Sequence, residues 1–227
     1  MAQSVLVIAD SGTGKSTSIR TLNSEETFII NIANKPLPFR GWKGHYKQIS
    51  KDNPKGNLTS ASSSAGIIKA INHVDQKMPH ITTLVVDDWQ YMSSFEYFDR
   101  ANEKGYDKFT QIAANLAMVA KLPKDLREDL TIIFLTHSED STDINGNRKI
   151  KAKTIGKMID NTLTLEGLFS IVLFGKVNKN DDGELEYGFE TQNNGENTCK
   201  SPQGMFEDFF IPNNLQYVKD CIKKYEE

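Results

Sequence analysis

Apolar positions along the chain gather into short, nearly continuous runs at residues 4–9, 27–32, 82–87 and 131–136, rich in Val, Ile, Leu and Phe. Runs so brief and so uniformly apolar predict strands covered on both faces, as in a parallel sheet flanked by helices. Between them the period changes to that of a helix. Residues 62–78 bring Ile67, Ile68, Ile71 and Val74 to one side behind a serine-rich entry, and residues 106–122 line up Phe109, Ile112, Ala113, Leu116 and Val119. A further helix is expected over residues 15–22, directly behind the first strand. Strand and helix in alternation predict an α/β fold with a doubly wound sheet.

After residue 168 the alternation stops. A fifth apolar run, FSIVLFGKV at 169–177, leads into the turn-forming NKNDDGE and then LEYGFETQ, which predicts an antiparallel hairpin added to the sheet. Asn213 or Asn214 can cap a last helix over 215–227, with Leu215, Val218 and Ile222 facing inward. Residues 34–60 and 138–155 are irregular and exceed ordinary connection lengths, so they are expected to be functional or mobile. Without a repeat, low-complexity tract or linker, residues 1–227 are expected to form one domain, with 169–227 appended to the same sheet.

Composition adds little to the fold and more to the partners. With 227 residues, 38% hydrophobic, the chain can bury a substantial core unaided. A net charge of −3 and a pI near 5.9 exclude a broadly basic surface, so nucleic acid could be met only through a local patch. Cys199 and Cys221 make neither a disulfide framework nor a metal-ligand spacing, which fits a reducing, cytoplasmic setting. No run approaches the ~20 apolar residues of a membrane span, and the first run lacks the basic leader of a signal peptide.

The candidate chemistry sits directly behind the first strand, in ADSGTGKS at residues 9–16. This matches the phosphate-binding loop GxxxxGK[ST] except that Ala9 stands at the first glycine, an outer position that ends the strand. Ser11, Gly12, Thr13 and Gly14 would turn the backbone and aim amides at phosphate oxygens. Lys15 would bridge the β- and γ-phosphates, Ser16 would hold magnesium, and Thr17 would bond a nearby phosphate. The third run, TLVVDDWQ, puts Asp87 at a strand end where a carboxylate can hold magnesium through water. The fourth, TIIFLTH, delivers Thr136 and His137 to the same rim, where α/β proteins bind ligands; His137 could sense the γ-phosphate or orient water.

GTGKS, LVVDD and TIIFLTH, in this order and followed by a strand and hairpin, resemble the RecA-like branch of P-loop ATPases. More closely, with NIANKPLPFRGW at 31–42, the chain resembles the short single-domain nucleotide-binding proteins of bacteriophages grouped with AAA-family ATPases. The resemblance covers about residues 3–200. It implies a three-layer P-loop NTPase fold with a mostly parallel RecA-like sheet, in which the fourth strand lies between the phosphate-loop strand and the Asp87 strand. It also implies ATP and magnesium as ligands, the host cell cytoplasm as location, and a role in phage DNA recombination, replication or repair. RecA-like ATPases usually carry a glutamate after the second strand to activate water. Here IINIANKPLPF offers Asn31 and Asn34 but no carboxylate, so Asp88 is the best substitute base and Glu139 a weaker one.

Two segments could meet single-stranded DNA. Residues 39–57 mix Phe39, Trp42 and Tyr46 with Arg40, Lys43, Lys47 and Lys51, although aromatic side chains in a long loop also serve simply to anchor it. In NRKIKAKTIGK, alternating Lys149, Lys151 and Lys153 would point one way in an extended segment, near Arg148 and Lys157; a solvated hairpin edge is the plainer reading. Lys200 could reach a neighbouring subunit's phosphate in a homo-oligomer. A nucleotide-binding switch or partner-loading module without turnover is the alternative to an ATPase. A small-molecule kinase is disfavoured because Arg20, Arg40, Arg100, Arg127 and Arg148 are scattered.

Overall fold

The computed structural model describes residues 1–142, 146, 148–155 and 163–227. Its strands are β1 (Gln3–Ala9), β2 (Thr27–Asn31), β3 (Leu58–Thr59), β4 (Thr83–Asp87), β5 (Thr131–Thr142), β6 (Arg148–Ala152), β7 (Ile171–Lys179), β8 (Leu185–Glu190) and β9 (Phe210–Pro212). The helices are α1 (Trp42–His45), α2 (Ser64–Lys77), α3 (Gln90–Asp99), α4 (Asp107–Lys121) and α5 (Leu215–Glu226). The sheet runs in the order β3-β2-β4-β5-β1-β7-β8-β9, with β6 off this path and paired to β5. From β3 to β7 all pairs are parallel, whereas β7–β8 and β8–β9 are antiparallel. This is the mostly parallel P-loop NTPase sheet, with β5 between β1 and β4 and the C-terminal antiparallel strands in the same sheet.

The two-residue period of a strand sorts each apolar run onto two faces. Leu6, Ile8, Phe28, Ile30, Leu84, Val86, Ile132 and Phe134 face one way and pack with Ile67, Ile71 and Val74 of α2, Met92 of α3 and Ile112, Leu116 and Val119 of α4. Val5, Val7, Ile29, Val85, Ile133 and Leu135 face the other way, against Ile19 and against Leu215, Val218 and Ile222 of α5. Three layers result, and they explain why the runs look continuous in sequence: both faces are dry. Helix α2 starts at Ser63, whose side chain accepts a hydrogen bond from Gly66 N, and α5 starts at Asn214, which accepts one from Tyr217 N.

Three elements differ from the sequence pattern. The helix expected over 15–22 is a 3-10 helix, Ser16–Thr21. The Ser18 hydroxyl donates to Lys15 O and that of Thr21 to Ser18 O, engaging carbonyls of the same turn, as short hydroxyl side chains do. Helix α3 is an addition; only Gln90, Met92 and Ser93 are buried along it, too few to print an apolar stripe. Finally, residues 138–142 and 148–152 are not irregular: β5 runs on past the sheet edge to Thr142 and pairs antiparallel with β6, Ser138 with Ala152 and Thr142 with Arg148. The alternation of Ser, Glu, Asp and Thr along this part of β5 reads as loop because the apolar contacts of the pair come from Ile150 and Ala152 of β6 instead. Lys157 lies outside the described residues.

The candidate nucleotide site

The carboxyl ends of β1, β4 and β5, with the segment after β2, open onto one cavity of about 490 Å³. Its lining includes Ser11, Gly12, Gly14, Lys15, Ser16, Thr17, Asp87, Asp88 and His137, so nearly all of the residues expected from the sequence converge there. Thr13 is not part of the lining; its hydroxyl donates to Asp10 O at 2.8 Å and closes the loop on itself. Thr136 is buried and points at the Gln90 side chain instead, which leaves His137 as the β5 residue on the rim.

Gly12 and Gly14 carry φ of +83° and +87°, a region open to glycine at no steric cost, and they make the turn that lifts the loop over the cavity. Ala9 fits where the motif has glycine because of its neighbour. On β7, Gly175 pairs with Ala9, and a Cβ on Gly175 would lie 2.8 Å from that of Ala9. The space left by one missing side chain is taken by the other. Gly175→Ala is therefore expected to cost ~1–3 kcal/mol through overpacking. Pairing it with Ala9→Gly should recover most of the loss, which denaturant titration of the double-mutant cycle measures.

Ser16 Oγ donates to Asp87 Oδ1 at 2.8 Å. These two hard oxygens at the cavity floor are the donor set magnesium prefers, an ion that takes few protein ligands and completes its shell with phosphate and water. Among the described residues no group of three or more His, Cys, Asp or Glu side chains is placed to hold a metal ion. Burial pushes the Asp87 carboxyl upward and the charge of Asp88 adds to this, against Lys15 and the Ser16 hydroxyl.

Asp88 is the hub of the cavity. Buried, and at φ +59°, it meets Lys15 Nζ at 3.2 Å, Lys35 Nζ at 2.6 Å and His137 Nε2 at 3.4 Å. Burial alone would raise its pKa, but the His137 hydrogen bond and the charges of Lys15 and Lys35 overcome this and hold it well below the usual carboxylate range. A carboxylate so stabilised is a weak proton acceptor in this arrangement. Glu139, the other candidate base, is paired with Lys151 at 3.2 Å on the hairpin and is absent from the cavity lining.

Several lining residues had no sequence signal strong enough to name them. Lys35 and Pro36 sit just past β2, where the strand-end rule could have found them. Gln90 accepts from His137 N at 3.2 Å and ties α3 to the rim. Tyr187 on β8 and Asn213 after β9 come from far along the chain and press on Gly14, each 3.3 Å from where its Cβ would be. The Asn213 amide nitrogen is buried beside the cavity, without a hydrogen-bond partner among the described residues.

The basic residues lie elsewhere. Arg148, Lys149 and Lys151 are on β6, with Arg148 held by Asp140 at 2.8 Å and Lys151 by Glu139. Exposed Lys153 follows the strand, and its backbone N donates to His137 O at 2.8 Å, so the hairpin base adjoins the cavity rim. In the other segment Tyr46 is buried and Phe39 and Trp42 pack on the core, so these rings anchor the loop while Arg40, Lys43, Lys47 and Lys51 remain exposed. Lys200 pairs through its backbone with Val172 of β7.

A phosphate loop behind β1, a Ser–Asp pair on adjacent elements and β5 interposed between β1 and β4 define a P-loop NTPase, a nucleotide-binding class. A family model described as AAA domain matches residues 1–203, and the chain belongs to that family. No curated protein matches the chain. Among the described residues no helix is long and apolar enough to cross a membrane.

Proposed function

We propose that the chain binds ATP with magnesium in this cavity and hydrolyses it, the cycle driving a DNA-handling surface or subunit assembly. The observation that carries the reading is the convergence of Lys15, Ser16, Asp87 and His137 on one cavity at the strand ends. Loop amides and Lys15 would offset charge developing on the γ-phosphate while a positioned water attacks in line. Magnesium, held by Ser16 and Asp87, would neutralise phosphate oxygens. Asp88 would act chiefly by positioning Lys15 and His137, since the cations around it weaken it as a base. The continuity of the sheet through β9 supports one ATPase domain over residues 1–227.

The resemblance to bacteriophage proteins supports a role in DNA recombination, replication or repair, in the cytoplasm of a host cell. Single-stranded DNA is the proposed partner of Arg148, Lys149, Lys151 and Lys153, of which Arg148 pairs with Asp140 and Lys151 with Glu139. A homo-oligomer is consistent with the class. A second reading, a switch without useful turnover, is favoured by one observation: β2 ends at Asn31, whose side chain is engaged by the Lys35 backbone, and no carboxylate stands there to activate water.

Steady-state phosphate release with and without single-stranded DNA separates the two readings. Release that rises on adding DNA is expected, and none in either condition leaves the switch. In the same preparations, Lys149→Glu with Lys153→Glu should flatten the salt dependence of DNA binding, a slope set by the phosphates neutralised. Unchanged binding would remove the hairpin from the DNA surface.

A further inference from the structure

The segment after β2 brings a second ammonium group into the cavity. Lys35 extends past Pro36 and Pro38 to place Nζ 2.6 Å from Asp88 Oδ2, while Lys15 reaches the other oxygen of the same carboxylate. Its backbone is fixed from both sides by one side chain: Asn31 Nδ2 donates to Lys35 O at 2.6 Å and Lys35 N donates to Asn31 Oδ1 at 3.3 Å. Its ammonium group lies 5.3 Å from the centre of the Tyr91 ring. Among the described residues the two non-glycine positions with positive φ, Asn34 at +52° and Asp88 at +59°, are the neighbour of one partner and the other partner itself. Such backbone conformations persist where the surroundings over-determine them, and they mark positions that are aimed.

The electrostatics of this arrangement are unbalanced in a telling way. Two lysines and His137 converge on Asp88, yet Lys35 keeps 57% of its side chain exposed, so its long stem is free to swing while its backbone stays anchored. Lys15 is buried and fixed. A terminal phosphate entering over the loop would bring a charge that Lys15 alone cannot offset, next to a carboxylate that already holds a mobile cation.

Building on the nucleotide reading above, we propose that Lys35 is a second phosphate-contacting cation, supplied by the chain's own β2 segment, which moves from Asp88 to the terminal phosphate and makes the site prefer triphosphate to diphosphate. Asp88 is its resting partner, a stand-in for the phosphate before nucleotide arrives. The end of β2 thus contributes positive charge to the phosphate rather than a base to the water. Compact, strongly hydrated ammonium groups suit this exchange between anions better than a forked guanidinium committed to one geometry.

The test compares the full-length chain with Lys35→Ala and Lys35→Gln for binding of a non-hydrolysable ATP analogue and of ADP, each with magnesium, by calorimetry at low and moderate salt. Lys35→Ala is expected to weaken the analogue by roughly 10-fold or more, the scale of a lost hydrogen bond to a charged group, and ADP by no more than about 3-fold. Lys35→Gln, which keeps a polar stem without charge, should resemble Lys35→Ala in the analogue-to-ADP ratio. Equal losses for both nucleotides would assign Lys35 an anchoring role in its loop and overturn the proposal, as would no loss for either. If the unaltered chain binds neither nucleotide, the nucleotide reading itself falls and takes this proposal with it.

Discussion

Lys15→Ala is expected to lower affinity for ATP by about 100-fold or more, the upper end of what one hydrogen bond between charged groups contributes. Lys15 is almost wholly buried at the cavity floor, where the loop encloses its ammonium group, whereas Lys35 approaches from the β2 side onto the other oxygen of Asp88. Its removal leaves Asp88 still paired with Lys35 and His137, which limits the damage to the fold. Lys15→Arg should not rescue binding, because a planar guanidinium does not fit the space of a compact ammonium group enclosed by the loop. Calorimetric titration with ATP and magnesium measures both variants, and affinity unchanged in Lys15→Ala would contradict the assignment of the phosphate loop.

Trp89→Ala is expected to give the largest loss of stability, ~3–5 kcal/mol, the range for truncating a buried aromatic. Trp89 is fully buried directly after Asp87 and Asp88, with its ring 4.6 Å from that of Phe134 and 5.9 Å from that of Phe169. In a chain of this length the loss corresponds to a fall in melting temperature of about 6–20 °C. Trp89→Phe should cost less than half as much, since the indole N–H has no hydrogen-bond partner to lose. Because the Trp89 ring packs on Phe134 of β5, its loss removes the side-chain support between the Asp88 turn and that strand, and nucleotide affinity should fall along with stability in Trp89→Ala. Thermal melts of the two variants, read beside their ATP titrations, check this coupling.

The parts of the fold legible in the sequence are those where one physical signal acts alone. β1, β4 and the first half of β5 are dry on both faces, so the apolar runs at 4–9, 82–87 and 131–136 mark them within a residue or so. The outer half of β5 is not marked, because polar side chains on both faces of a hairpin leave no period to read. Helix α3 is held by Lys108, whose ammonium group bonds the carbonyls of Arg100, Ala101 and Glu103 at its end, an interaction without a pattern in the local sequence.

The site divides along similar lines. Lys15, Ser16, Asp87 and His137 are readable because a strand end is a place as well as a sequence, and the parallel sheet brings such ends together. Asp88 was legible as a residue but not in its surroundings: its three partners, Lys15, Lys35 and His137, come from three different segments. Tyr187 and Asn213 depend on the antiparallel return of β8 and β9 over the loop, a long-range pairing that no local rule anticipates.

β5 is a single strand of twelve residues, about 40 Å at ~3.3 Å per residue, buried in the sheet at one end and standing in water at the other. From Thr131 to Thr142 it contains neither glycine nor proline, the residues that most readily let a backbone pivot. A displacement at His137 of a few tenths of an ångström would therefore be transmitted outward as leverage and magnified with distance. The fulcrum is where β1 and β4 grip the strand, and the outer half, paired with the lysine-bearing β6, is the long arm.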